Sequence, residues 1–244
     1  MLGAYVLYTR RYKKYEISLL SVFTEKTAYK DILRLSFPVI LDKAALAFAY
    51  IWLCAMIKPL GTAGVATFAV LKDMERFALV PAIACAQIIT FLVSNDLGIQ
   101  NWEGIKSNIK KVVFLASIMV FAILAVFICY TSSIVQCFDR NCEFTDLASR
   151  VFPIISVLVF FDLLQLVLSG ALRGAGNVKL VMTVRLLVCG FYFLPISYIL
   201  SQLPIEDTTL KLVLIYGSFY IGNALMSIVY INRFRSEDWK TASH

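Results

Sequence analysis

Apolar residues occur along this chain in six long runs, near Leu33–Met56, Ala63–Val93, Val112–Tyr130, Leu147–Leu168, Leu180–Ser201 and Leu210–Ile231. A run of about 20 apolar residues, rising about 1.5 Å each, crosses a hydrocarbon core of about 30 Å as one helix. Backbone amides in lipid must be satisfied within their own segment or in a closed barrel, and these runs lack the alternation of barrel strands. The pattern predicts an all-α integral membrane protein: a six-transmembrane-helix bundle over residues 33–232, with tails at 1–32 and 233–244. The second run, 31 residues long, exceeds what the core requires. Its charged group Lys72-Asp73-Met-Glu75-Arg76 is therefore expected either at the outer boundary or along a watery cavity.

The N-terminal tail departs from the order of a secretory signal, because the apolar residues Leu2–Tyr8 precede the basic cluster Arg10–Lys14. Met1–Tyr8 is too short to cross a bilayer and reads either as a shortened interfacial segment or as the end of a truncated helix. Glu16–Lys30 has Ile17, Leu20 and Phe23 at helical spacing, which suits either a linker in the membrane surface or a partly ordered tail.

Composition strengthens the membrane reading. Hydrophobic residues make up 60% of the chain and charged ones 16%, against roughly 45–50% and about 25% in soluble domains. Mean hydropathy is +0.78. The net charge of +7 is distributed by topology: fifteen basic residues fall on the side of both tails and the second-to-third and fourth-to-fifth connections, and four (Lys58, Arg140, Arg150, Lys211) on the other. Lys and Arg are retained on the cytoplasmic side, so both termini are expected there. The dispersed basic residues favour anionic lipid headgroups and give no basic face for nucleic acid.

Few residues suit enzyme chemistry. The single histidine, His244, ends the chain, which excludes imidazole catalysis or a His-built metal site within the bundle. Cys54, Cys85, Cys129 and Cys189 lie in or at the end of apolar runs, where packing explains them. Cys137 and Cys142 share a predicted outer loop and are a candidate disulfide. The run Gly170-Ala-Leu-Arg-Gly174-Ala-Gly176-Asn follows a membrane helix and lacks the Gly-Lys-Ser/Thr ending of a phosphate loop. It reads as a tight turn whose glycines permit φ > 0. No cofactor is expected, and any pumping would draw on an ion gradient.

The polar residues inside the runs carry the functional expectation. Asp162 is a carboxylate at membrane depth, where an ionisable group costs several kcal/mol and commonly marks an ion or substrate pathway. Gln165 and Ser169 follow at i+3 and i+7, on the same helical face, where they can coordinate a cation or hold a proton; a helix–helix hydrogen-bonded patch is the alternative. The adjacent pair Asp42-Lys43 points in two directions about 100° apart, so at least one of them pairs elsewhere. Lys72–Glu75 and Asp73–Arg76 each have i, i+3 spacing. Arg185 is either the counter-charge of a carboxylate or, the preferred reading, a side chain that reaches the nearby cytoplasmic surface. In the last run, Asn223 and Ser227 form a polar pair, and Ser218 with Gly222 a close-packing face. The set Asp162, Gln165, Ser169 and Asp42 is expected to couple a cation, with Lys43, Lys72, Asp73, Glu75, Arg76 and Asn223 lining a cavity.

Asp162-Leu-Leu-Gln165-Leu-Val-Leu-Ser-Gly170-Ala-Leu-Arg173-Gly174-Ala-Gly-Asn resembles the tenth helix and following loop of the multidrug and toxic compound extrusion (MATE) antiporters. Leu33-Arg-Leu-Ser-Phe-Pro38, Pro59-Leu-Gly61, Val93-Ser-Asn-Asp-Leu-Gly98 and Arg233-Phe-Arg-Ser-Glu-Asp-Trp239 match in order and spacing. The likeness runs from about Lys30 to Trp239 and is to the C-terminal six-helix lobe. It implies export of small amphipathic or cationic substrates in exchange for Na⁺ or H⁺, by two lobes that rock around a central cavity. Asp162 falls on a carboxylate that binds the coupling cation in one branch, with Gln165 at the matching spacing. The glutamate that branch carries in its seventh helix, the counterpart of the first run here, aligns with Leu46, and Asp42, one turn away, is the candidate substitute. Three accounts fit a single lobe: a half-transporter working as a homodimer, a subunit needing a separate first-lobe chain, or a truncated product of a longer gene; a second lobe is expected as partner. The alternatives are a lipid-linked oligosaccharide flippase of the same superfamily, or a non-transporting vestigial membrane protein.

Overall fold

The computed structural model describes residues 26–138 and 144–236, and contains helices with no strand among those residues. Six helical stretches are long and apolar enough to cross a membrane. The Cys137–Cys142 pairing, the linker before Lys26 and the terminal tail beyond Ser236 fall at least in part outside the described residues.

Helix α1 (Lys26–Ile57) carries Pro38 and ends in a 3₁₀ turn, Lys58–Leu60. At Gly61, φ is +82° and ψ −178°, a conformation that side chains disfavour, which accounts for the Pro59-Leu-Gly61 sequence. Next come α2 (Gly61–Ala78) and α3 (Val80–Gly98). The run expected as one straight span, Ala63–Val93, is thus broken at Leu79. Pro81 has no N–H to give the carbonyl of Phe77, whereas Leu79 and Ile83 still bond the carbonyls of Glu75 and Leu79 at 2.8 and 2.9 Å. The break divides a helical segment that would otherwise far outrun the bilayer.

Helix α4 (Trp102–Cys129) begins well before the expected Val112, because Asn101 caps it by accepting from the Gly104 amide at 3.0 Å. A short α5 (Thr131–Gln136) leads toward α6 (Thr145–Gly174), the helix bearing Asp162. The fifth span is composite: α7 (Val178–Leu187), a π turn (Val188–Phe193) and α8 (Leu194–Gln202). The π turn directly precedes Pro195, which offers no donor to the Phe191 carbonyl. Helix α9 (Thr208–Arg235) opens with the Asp207 side chain accepting from the Thr209 amide at 2.9 Å.

Helix α6 is central, packing against α3, α4 and α9, while α1 lies along α7 and α8. Its buried stripe Val151, Phe152, Ile155, Val159, Leu163 and Val167 meets Tyr216 and Tyr220 of α9 in one core. Lipid tails are as apolar as this core, so close packing and hydrogen bonds hold the helices together in place of a hydrophobic driving force. The glycine run shows how. A Cβ on Gly170 would stand 2.5 Å from the Ala86 carbonyl oxygen, and one on Gly174 2.3 Å from that of Thr90. The Thr90 hydroxyl lies 2.8 Å from the carbonyls of both Ala86 and Gly170, tying α3 to α6. The expectation of a loop of turn glycines is corrected accordingly: Gly170 and Gly174 are helical residues that permit backbone contact, and Gly176, at φ +77°, is the one that turns the chain.

Candidate functional site

Among the described residues, three of the polar centres within the spans hold an acidic residue and join it to residues far apart in sequence. The first surrounds Asp42, 2% exposed on α1. Arg173, at the end of α6, donates from Nη2 to its Oδ2 at 2.6 Å, and Arg185 of α7 donates from Nε to its Oδ1. Both carboxylate oxygens are thereby engaged by guanidinium groups. Arg185 is buried at 3%, so the expectation that it reaches the membrane surface is corrected: a buried guanidinium requires an anion, and Asp42 provides it. Lys43, next in sequence, is exposed, in keeping with the divergent directions of neighbouring helical residues.

The second centre is on α2. Glu75 is fully buried, and its Oε2 accepts from the Tyr216 hydroxyl at 2.5 Å, from the Tyr220 hydroxyl and from Lys72 Nζ at 3.1 Å. The Lys72 ammonium is also surrounded by rings, 4.9 Å from the centroid of Tyr50, 5.5 Å from Tyr216, 5.2 Å from Phe219 and 5.6 Å from Tyr220. Asp73 and Arg76 are exposed. At about 100° per residue the four charged positions follow one arc of the helix in the order Glu75, Lys72, Arg76, Asp73, and burial falls along it from Glu75, fully buried, through Lys72 to the two exposed residues.

The third centre is Asp162. It is half-buried on α6, and Asn223 of α9 donates from Nδ2 to its Oδ1 at 3.1 Å. Asn223 is itself buried, and its own Oδ1 has no hydrogen-bond partner among the described residues. Gln165 is buried one turn along with its Nε2 likewise unpartnered. Ser169 turns back to its own helix, donating to the Leu166 carbonyl at 2.9 Å, and Ser227 does the same to that of Asn223 at 2.9 Å.

Of the residues expected to couple a cation, Asp162 acquires Asn223 as its neighbour, Gln165 shares its helix, Ser169 spends its hydroxyl on the backbone, and Asp42 is held by two arginines. The two carboxylates differ in what bonds them. Asp42 is bonded by two fixed cations, whereas Asp162 is bonded by one neutral amide, with the cations of Lys72, Arg185 and Lys43 near it but not bonded to it. Among the described residues, no three or more His, Cys, Asp or Glu side chains converge as a metal site would require.

The sequence reading missed the aromatic residues. Tyr50, Tyr216, Phe219 and Tyr220 count among the hydrophobic residues of the composition, yet Tyr216 and Tyr220 are i, i+4 on α9 and present two hydroxyls to one partner. That spacing was the available signal. Arg173 was read as a connection residue, and nothing local marks it as a partner of Asp42, 131 positions away.

Comparison with known proteins agrees with this architecture. "Probable multidrug resistance protein NorM" of Mannheimia succiniciproducens is 26% identical over 175 residues, covering 71% of this chain and 37% of that protein. "Multidrug resistance protein NorM" of Photobacterium profundum is 25% identical over 221 residues, covering 90% of this chain and 47% of its own length. The chain thus spans less than half the length of these curated relatives. Among solved structures, a variant of the Vibrio cholerae MATE transporter VcmN shares the fold with a TM-score of 0.80 at 14% identity, over 98% of this chain and 55% of that one. An outward-facing multidrug resistance MATE family transporter of the MOP superfamily does so with a TM-score of 0.77 at 18% identity, over 93% and 50%. The family model MatE matches residues 38–199, about two thirds of the sequence, and the chain accordingly belongs to the MatE family.

Proposed function

We propose that this chain forms one lobe of a secondary active exporter that exchanges amphipathic or cationic organic compounds for Na⁺ or H⁺. The observation that carries the reading is the Asp162–Asn223 pair: a half-buried carboxylate at membrane depth with a neutral amide 3.1 Å away and no fixed counter-cation bonded to it. Such a group binds a proton or a small cation and releases it when its surroundings change, which is what ion coupling requires. Asp42 takes no part in coupling on this reading, since displacing it would leave the buried guanidinium of Arg185 and the partly buried one of Arg173 without their anion.

A second lobe completes the pathway, as a homodimer or a separate chain. Lys43, Asp73 and Arg76 are exposed on helices long enough to span the membrane, and charges facing lipid cost several kcal/mol unless protein or water covers them. The chain would lie in a bacterial inner membrane with both termini cytoplasmic. The family names attached to its relatives support multidrug efflux as the activity.

The test is efflux of a cationic dye from proteoliposomes under imposed Na⁺ and H⁺ gradients, comparing the chain with Asp162→Asn at equal incorporation. Gradient-driven efflux abolished by Asp162→Asn supports the reading and identifies the coupling ion. Efflux that Asp162→Asn leaves unchanged overturns the assignment of Asp162.

A further inference from the structure

The Glu75 centre has the composition of an ammonium-binding site, yet its occupant is part of the chain. Four aromatic rings stand 4.9–5.6 Å from Lys72 Nζ, within the reach of about 6 Å over which a ring face attracts a cation. A carboxylate closes the cage, with Tyr216 and Tyr220 fixing its Oε2 by hydrogen bonds. Glu75 Oε1 is buried without a partner among the described residues, so the cage holds an acceptor that Lys72 does not use. Asp162 lies within electrostatic range of the same ammonium.

The parts come from three helices: Tyr50 from α1, Lys72 and Glu75 from α2, and Tyr216, Phe219 and Tyr220 from α9. A lysine needed only to neutralise Glu75 would require the 3.1 Å ion pair and nothing more. Enclosure of its ammonium by four ring faces is the arrangement by which proteins recognise alkylammonium ligands. Burial of the Lys72 side chain is incomplete, at 16% exposure, so the cage is not sealed from outside.

We infer that the cage of Tyr50, Glu75, Tyr216, Phe219 and Tyr220 is a binding site for a primary alkylammonium group, which the chain fills with its own Lys72. Lys72 is then a tethered occupant that excludes soluble ammonium ligands, and a ligand gains the cage when the lysine side chain leaves it. The inference concerns binding alone, so it stands or falls separately from the export reading.

The test is chemical rescue of the purified full chain in nanodiscs, read as the thermal midpoint in n-propylammonium chloride, methylammonium chloride or NaCl at matched ionic strength. Lys72→Ala removes three carbons and the ammonium and pairs with n-propylammonium. Lys72→Met keeps the stem without the charge and pairs with methylammonium, which provides a second route should Lys72→Ala fail to fold. The expected result is a lowered midpoint in both variants, restored saturably by the matching ammonium and not by NaCl. The unsubstituted chain and Lys72→Arg should not respond, and adding Glu75→Gln to either variant should abolish the rescue. Equal response of the unsubstituted chain, rescue that survives Glu75→Gln, or folded Lys72 variants that ignore both ammonium ions would overturn the inference.

Discussion

Replacing Asp42 by Asn separates a structural carboxylate from a coupling one. Asp42 is 2% exposed, and it bonds Arg185, with a side chain 4% exposed, and Arg173, with one 21% exposed. Removing the charge leaves two guanidinium groups facing a neutral amide. Breaking a buried ion pair by deleting one partner costs about 3–5 kcal/mol. Asn keeps one acceptor for a guanidinium N–H, and Arg173 regains some hydration through its exposed fifth, so the lower end of that range, about 3 kcal/mol, applies. At about 2–4 °C per kcal/mol for a chain of this size, the midpoint should fall by roughly 6–12 °C. Arg185→Met is expected to cost less, about 1.5–3 kcal/mol, because Asp42 would still bond Arg173. In the double variant, which removes one charge of each sign, the losses should be well below additive. The assay is the fraction of monodisperse protein by size-exclusion chromatography after heating, in one detergent throughout. If Asp42→Asn kept its midpoint within about 2 °C while losing ion-driven export, Asp42 would be a coupling ligand and the reasoning here would be refuted.

Three further outcomes are expected. Gly174→Ala places a methyl 2.3 Å from the Thr90 carbonyl oxygen and must push α3 from α6, at a cost of about 1–3 kcal/mol; Gly98→Ala, with nothing within 4 Å, is the control, and equal midpoints for the two would refute the close-approach reading. Tyr220→Phe removes one hydroxyl donor from buried Glu75 while Tyr216 and Lys72 remain, so a loss of about 1.5–3 kcal/mol is expected in the same assay, and no change would mean that the contact contributes nothing. Asn223→Ala deletes the amide beside Asp162; in the proteoliposome assay it should weaken the dependence of export on coupling-ion concentration without lowering the thermal midpoint as much as Asp42→Asn does.

Most of the architecture was legible from residue order alone. A bilayer imposes one length on every span and excludes charge from it, so apolar runs mark the helices, and the charged residues within them mark where polar partners must exist. Helix boundaries were less legible where backbone donors decide them. Pro81 breaks the second span at Leu79, and Asn101 starts the third about ten residues before its apolar stretch. These signals are local, but they depend on hydrogen-bond supply, to which hydropathy is blind.

The pairing of charges was decided by tertiary packing. Asp42 finds Arg173 and Arg185 at separations of 131 and 143 residues, and Glu75 finds Tyr216 and Tyr220 at 141 and 145. Helical periodicity tells which residues share a face of one helix, but it carries no information on how that face is rotated against another. Asp42 and Asp162 look alike in sequence, since each is an acidic residue in an apolar run. What separates them is the neighbour that packing delivers: two fixed cations for Asp42, one neutral amide for Asp162. Charge compensation in lipid is strong enough to require a partner, and only the assembled bundle determines which residue that partner is.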